Sequence, residues 1–353
     1  MPPASHNSNP AHRLLLIDAM RGIAALAVLM FHMGTLHLGG GVFDRSYLAV
    51  DFFYILSGFV LVPSLEQGAG AKTGAGRLIA RRVTRLWPMM AVGTMLGIAL
   101  TTASDGALPS VALVLSGLMF APLFDDNQPI FPLNAPQWSL LSELLANGAH
   151  VLVLRRLGLA VLVGLAGASW LTLTAMAHAH GSLNAGDRGL TWGQGLLRVS
   201  FGYIAGCVLA RTHARWAPLA ARHLRWWLAP SVFAALLVVP VLLVVPAASG
   251  DPLTVLGFIP VVAIAAAARI PDGLARTAAW LGRISFPLYA LHFPVLRTAE
   301  LLAARVPPAF GGMVFLAAAT ASIALAHIVS RSWLAKGIGA VPLPRWRPAA
   351  QAA

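Results

Sequence analysis

The chain has 353 residues, of which 58% are hydrophobic and only 10% are charged, and its mean hydropathy is +0.75. A soluble protein carries about 25% charged residues, so this composition excludes a soluble globular protein and indicates an integral membrane protein. The formal net charge is +13, but the basic residues lie mostly between apolar runs. Membrane topology therefore explains the charge better than nucleic-acid binding does.

The apolar runs predict an all-α polytopic bundle of about ten transmembrane spans, because a crossing helix needs about 20 mostly apolar residues. The predicted spans are 14–37, 46–65, 86–104, 138–154, 157–177, 193–210, 226–247, 253–268, 284–305 and 310–331. The run 109–124 is short and bounded by prolines, which predicts a re-entrant or interfacial segment. These spans make 14–333 one transmembrane domain between a disordered cytoplasmic tail, 1–13, and a cytoplasmic tail, 334–353.

Charge supports this count and places both termini in the cytoplasm. With ten spans, arginines such as Arg155 and Arg222 fall in cytoplasmic loops, whereas acids such as Asp187 and Asp251 fall in outer loops. This is the bias that the positive-inside rule expects. An eleventh span at 109–124 would move the later arginine-rich loops to the outside.

The first span contains Arg21 and His32, which lie eleven residues apart. Because an α-helix has 3.6 residues per turn, both side chains emerge on one face, about 16 Å apart along the axis. We expect this face to line a polar cavity, with His32 deep in the outer half, where an imidazole suits general-base catalysis. The alternative is that Arg21 extends to the interface and His32 makes a helix–helix hydrogen bond.

Two further spans carry acids. The second contains Asp51 and Ser57, although Ser57 and the adjacent Gly58 also suit plain helix packing. The fourth contains Glu143 at a depth comparable to that of His32, so either Glu143 or Asp51 is a candidate to orient the His32 ring, and pairing with Glu143 would raise its basicity.

A cationic cluster precedes the third span, in the segment RLIARRVTRLWP. Arg81, Arg82 and Arg85 share a helix surface with Trp87 close by. Such a cluster serves as a lipid-phosphate anchor or as a binding site for a phosphorylated ligand, because guanidinium forks match phosphate oxygens.

The ninth span opens with LGRISFPLYALHFPVL, which places Tyr289 and His292 on one helix face and contains two prolines. Prolines free backbone carbonyls, which a membrane tolerates where protein or a cavity satisfies them. The pair His178 and His180 has no companion ligands in sequence, so we predict no metal site.

Five segments together resemble the acyltransferase-3 family of bacterial integral membrane O-acyltransferases: LLLIDAMRGIAALAVLMFH, VDFFYILSGFVLV, RRVTRLWP, WSLLSE and LGRISFPLYALHF. The resemblance implies a multi-pass protein of the bacterial cytoplasmic (inner) membrane. It implies transfer of an acyl group, usually acetyl, from cytoplasmic acyl-CoA to a hydroxyl of a sugar, glycan or glycosylated metabolite, as in polysaccharide modification. Acetyl-CoA would be a co-substrate, with no permanently bound cofactor.

From the residues and the resemblance we predict three groups of site residues. The catalytic residues are Arg21, His32 and Glu143; the acyl-CoA-binding residues are Arg81, Arg82, Arg85 and Trp87; the residues that support the acceptor, the carbonyl oxygen or the catalytic ring are Asp18, Asp51, Ser57, Trp138, Ser139, Ser285, Tyr289 and His292. The expected partners are acyl-CoA, a carbohydrate or glycosylated acceptor and membrane lipids. Oligomerisation stays open, and we expect no nucleic acid.

The chain departs from the family pattern in two places. It reads Asp18-Ala19-Met20-Arg21 where Asp-Gly-Leu-Arg is usual, and LLANGAH follows Glu143 where aromatic residues are usual. We also expect a stand-alone transferase without the C-terminal esterase-like domain that many relatives carry. The alternative function is a proton-coupled secondary transporter that uses the intramembrane Arg, His, Asp and Glu residues.

Overall fold

The computed structural model describes residues 10–38, 41–67, 73–125 and 127–332. Helices form nearly all the regular structure in these ranges, which confirms the all-α class. In chain order they are α1 Pro10–Met33, α2 Ala49–Glu66, α3 Ala75–Asp105, α4 Val111–Met119, α5 Gln137–Leu152, α6 Leu159–His180, α7 Trp192–Arg211, α8 His213–His223, α9 Leu228–Leu242, α10 Ala247–Ala267, α11 Ala275–Ala303 and α12 Pro308–Arg331.

Among the described residues, six helices are long and apolar enough to cross a membrane, or seven if the bent pair α8 and α9 forms one span. The predicted count of ten and the cytoplasmic termini stay predictions. Helix α1 begins at Pro10, so the last residues of the predicted tail 1–13 are helical. Residues 1–9 of that tail and the predicted tail 334–353 lie outside the described residues.

Helix α3 begins well before the predicted span 86–104 and runs through Pro88 without a break. The arginine cluster therefore lies on the first turns of a long helix, not in a loop before it. Helix α11 likewise begins before the predicted span 284–305 and continues through Pro287 and Pro294.

The proline-bounded run 109–124 contains the nine-residue helix α4. A helix of that length extends about 14 Å, far less than the roughly 30 Å thickness of the hydrocarbon core. Gly117 of α4 packs directly against Thr94 of α3. This segment is therefore too short to be an eleventh span.

The expectation that Asp251 lies in an outer loop is wrong. Helix α10 begins at Ala247, so Asp251 lies inside it, completely buried. The Tyr47 hydroxyl and the Leu183 amide both donate to its carboxylate, and Arg45 lies 3.5 Å from it. Burial of an acid requires such partners, because an unpaired charge in an apolar interior is costly.

Close backbone contacts hold the centre of the bundle together. A Cβ atom at Gly58 of α2 or at Gly206 of α7 would overlap the backbone of the opposite helix. Helices α1 and α11 approach in the same way at Gly22 and Gly282. Small residues permit such contact in membranes, where close van der Waals packing drives helix association.

Candidate active site

A cavity of about 480 Å³ lies between α1, α2, α3, α5 and α11. Its walls include aliphatic and aromatic side chains together with a polar set. The polar side chains are those of Asp18, Arg21, Tyr54, Ser57, Arg82, Arg85, Ser139, Glu143, Asn147, Arg283, Ser285, Tyr289 and Ser330. Residues from these five helices, together with Ser330 of α12, thus share one cavity although their segments lie far apart in sequence.

Helix α1 contributes Asp18 and Arg21 to the cavity, one helical turn apart. The Arg21 guanidinium lies 3.6 Å from the Asp18 carboxylate. The close contact of α1 with α11 at Gly22 and Gly282 is followed on α11 by Arg283, which also lines the cavity. The α1 part of the cavity wall is therefore strongly polar.

The structure places two of the four predicted donor-binding residues in the cavity lining. Arg82 and Arg85 line the cavity, whereas Arg81 is exposed and is not part of the lining. The Trp87 indole is 42% exposed, and its Nε1 donates a hydrogen bond to the Leu118 carbonyl, 2.9 Å away. Trp87 therefore holds α4 against α3 and does not reach the cavity.

Glu143 of α5 lines the cavity and accepts a hydrogen bond from the Ser57 hydroxyl of α2, with an Oγ–Oε1 distance of 2.7 Å. The expected partner was His32, but the described contacts of His32 do not include Glu143. Sequence spacing on single helices could not reveal this pair, because it depends on how α2 and α5 face each other.

A second polar pair lies on the cavity wall. The Ser139 hydroxyl donates to the Pro136 carbonyl at 3.0 Å, so the Tyr289 hydroxyl donates the 2.5 Å hydrogen bond between Tyr289 and Ser139. The Ser285 hydroxyl donates to the Gly282 carbonyl at 2.8 Å. Both serines therefore have their single proton engaged by backbone carbonyls.

His32 lies next to His292, with their ring centroids 5.1 Å apart. His292 is completely buried, and its Nδ1 lies 3.0 Å from the carbonyl oxygens of Leu288 and Tyr289. Carbonyls only accept, so Nδ1 carries the proton and Nε2 bears the lone pair. That Nε2 is buried without a hydrogen-bond partner among the described residues.

The cavity that contains Arg21 does not extend to His32, which is partly exposed and is absent from the lining. Tyr289 lines the cavity, and its ring lies 6.0 Å from that of His292, which in turn neighbours His32. The face of α1 that carries Arg21 and His32 therefore does not line one cavity: Arg21 faces the cavity, and His32 lies behind Tyr289 and His292.

Asp51, predicted to support the catalytic ring, is instead bound by Arg198 of α7. The guanidinium donates from Nε to Oδ1 at 3.1 Å and from a terminal nitrogen to Oδ2 at 2.5 Å. It also donates to the Ala185 and Tyr47 carbonyls, and it lies 5.4 Å from the Trp138 ring centroid. Trp138 therefore contributes to this buried ion pair.

Sequence reasoning missed Arg198. The signal was present, because an arginine inside the predicted span 193–210 requires a partner, and intramembrane charges usually pair with one another. The unexplained acid Asp51 and the overlooked base Arg198 are the two halves of one pair.

Comparison with known proteins now identifies the class. Residues 14–328 match the family model of the acyltransferase-3 domain, described as an acyltransferase domain. The chain belongs to the acyltransferase-3 family. This acyltransferase is also similar to a Rhizobium radiobacter protein named "Protein 2 in picA locus", with 33% identity over 165 residues, covering 41% of this chain and 84% of that protein. No solved structure matches it. Family membership confirms the predicted resemblance and a membrane acyltransferase function.

Proposed function

We propose that this acyltransferase moves an acetyl group from acyl-CoA to a hydroxyl of a sugar, glycan or glycosylated metabolite in the bacterial inner membrane. The observation that carries the proposal is the arginine-lined cavity in a member of an acyltransferase family. Acetyl-CoA serves as a co-substrate, and polysaccharide modification is the proposed role.

The cavity suits an anionic donor. Arg82 and Arg85 have no ion-pair partner among the described residues, although both line the cavity with Arg21. Guanidinium groups bind phosphate oxygens through paired N–H donors, and a low-dielectric wall strengthens the attraction. The phosphates of CoA would occupy this part of the cavity and leave the pantetheine arm to extend towards Tyr289.

His32 is the proposed general base. It removes the proton from the acceptor hydroxyl, the oxygen attacks the thioester carbonyl carbon, and the carbon–sulfur bond then breaks. The imidazolium returns its proton to the departing CoA thiolate. The His292 ring lies beside the His32 ring, and its Nε2 has no hydrogen-bond partner among the described residues. This supports the role of His32, because a hydrogen bond to that Nε2 would fix the tautomer of His32.

This mechanism requires the acyl end of the donor to pass the hydrogen-bonded pair Tyr289 and Ser139 in order to reach His32. The Tyr289 hydroxyl is then well placed to donate to the thioester carbonyl oxygen, since its present acceptor is an already engaged serine hydroxyl. Family membership favours this reaction over the alternative of a proton-coupled transporter.

The test is a thiol-release assay. Protein purified in detergent is mixed with acetyl-CoA and a panel of soluble sugars and glycosides, and free CoA thiol is followed with a thiol-reactive dye. We expect thiol release that depends on the acceptor, together with an acetylated acceptor in the mass spectrum. Proton-coupled solute uptake into proteoliposomes without any thiol release would instead support the transporter.

A further inference from the structure

We infer that Asn147 is a specificity-determining residue for the donor, which binds a secondary amide of the pantetheine arm through its side-chain carboxamide. This inference rests on the proposed acyl-CoA donor and adds a contact that neither the motifs nor the family match assigns. It starts from an unsatisfied polar group in the cavity wall.

Asn147 is only 3% exposed, yet both its carboxamide nitrogen and its carboxamide oxygen lack a hydrogen-bond partner among the described residues. Buried polar side-chain atoms almost always have partners, and each exception requires an explanation. Asn147 lines the cavity together with Glu143 and Arg82. The residue therefore adjoins the space in which a ligand can bind, and no other group among the described residues competes for its carboxamide.

The position of Asn147 along α5 places it close to the level of the cavity arginines. It lies one helical turn after Glu143, which is about 6 Å along the helix axis. The next residue, Gly148, lies close to Ile79 of α3, one turn before Arg82 on that helix. Asn147 is therefore near the level of the cavity arginines, whereas Glu143 and Ser57 lie deeper.

The chemistry of the side chain selects an amide partner. A carboxamide presents N–H donors and a carbonyl acceptor side by side, and a secondary amide presents one of each. The amides of the arm therefore offer both an acceptor for the Asn147 nitrogen and a donor for its oxygen, whereas a phosphate has acceptors alone and would leave the Asn147 oxygen unpaired. Arg82 and Arg85 bind the phosphates, so the matching ligand at this level is the amide of the arm nearest to those phosphates.

The experiment measures binding, so it needs no acceptor. Isothermal titration of the purified full chain in detergent is carried out with acetyl-CoA and with 3′-phosphoadenosine 5′-diphosphate, which is the nucleotide part of CoA without the arm. We expect Asn147→Ala to weaken acetyl-CoA binding about tenfold, as expected for loss of hydrogen bonds to a buried group. Binding of the nucleotide should stay unchanged, which also shows that the variant is folded.

Two further variants complete the design. Arg82→Ala should weaken both ligands, and Asn184→Ala, at an exposed position outside the cavity, should weaken neither. Equal loss of both ligands in Asn147→Ala, or wild-type affinity for acetyl-CoA, would overturn the inference while leaving the donor proposal intact. Failure of the wild-type chain to bind either ligand would overturn the donor proposal, and the inference with it.

Discussion

Two regions of the bundle contain arginines and acids, and they differ in whether the charges are satisfied. Each of the three guanidinium nitrogens of Arg198 donates to an acceptor: the Asp51 carboxylate and the carbonyls of Tyr47 and Ala185. In the cavity, Arg82 and Arg85 have no ion-pair partner among the described residues, and Asn147 has no hydrogen-bond partner there. Breaking a sealed ion pair costs folding free energy, whereas unsatisfied charges beside a cavity are available to a ligand.

The largest predicted effect on activity comes from the pair of His32 and His292 behind the cavity. His32→Ala should lower acyl transfer by about 10²–10⁴-fold, because a general base contributes that much. The protein should stay folded, since His32 is partly exposed and its ring has no hydrogen bond or ion pair among the described residues.

The measurement is acceptor-dependent thiol release beside a thermal unfolding curve in the same detergent. Phe293→Leu is the matched control, because it removes a ring that contacts His32 and leaves both histidines. Wild-type turnover in His32→Ala would remove that residue from the mechanism.

Variants of the ion pair between Asp51 and Arg198 should change the stability of the protein and not the chemistry of acyl transfer. Arg198→Met leaves a buried, uncompensated Asp51, which should cost about 3–5 kcal/mol of folding free energy. The double variant Asp51→Leu, Arg198→Met should recover much of that loss, because removing both charges removes the desolvation penalty.

The yield of monodisperse protein and the midpoint of unfolding in detergent measure the stability of the single and double variants. Should Arg198→Met fold like the wild-type chain but lose acetyl-CoA binding, the pair would belong with the cavity, and the contrast between the two regions would be wrong.

The sequence predicted much of the cavity and little of the paired region. Arg21, Ser57, Arg82, Arg85 and Glu143 belong to motifs that mark one site, and the structure brings them together. The partners of Glu143 and Asp51 were not predictable from spacing, because each is set by the facing of two helices distant in sequence. Asp251 was misassigned for the same reason: an acid near a span end looks solvent-exposed until its buried partners are seen.

The smallest predicted effect is a difference in acetyl-CoA binding between variants of two neighbouring arginines of α3, Arg81 and Arg82. Arg82→Ala should raise the dissociation constant for acetyl-CoA about tenfold, as expected for loss of a charge-assisted contact to phosphate. Arg81→Ala is the matched control and should leave the constant unchanged, because Arg81 is exposed and outside the cavity lining.

Titration calorimetry at two salt concentrations measures both variants, since a phosphate contact at a solvated cavity weakens with salt. Equal losses in the two variants would indicate that the whole basic face, and not the cavity wall, attracts the donor.

The ion pair between Asp51 and Arg198 also sets an order of events during biosynthesis. The two residues are separated by 147 positions, so α2 leaves the ribosome long before α7 exists. Until then the translocon or a neighbouring helix has to shelter a lone carboxylate, whose insertion into lipid costs about 2.5–3.5 kcal/mol. When α7 inserts, Arg198 neutralises that carboxylate. The contacts of Gly58 and Gly206 between α2 and α7 then fix α2 in its final register.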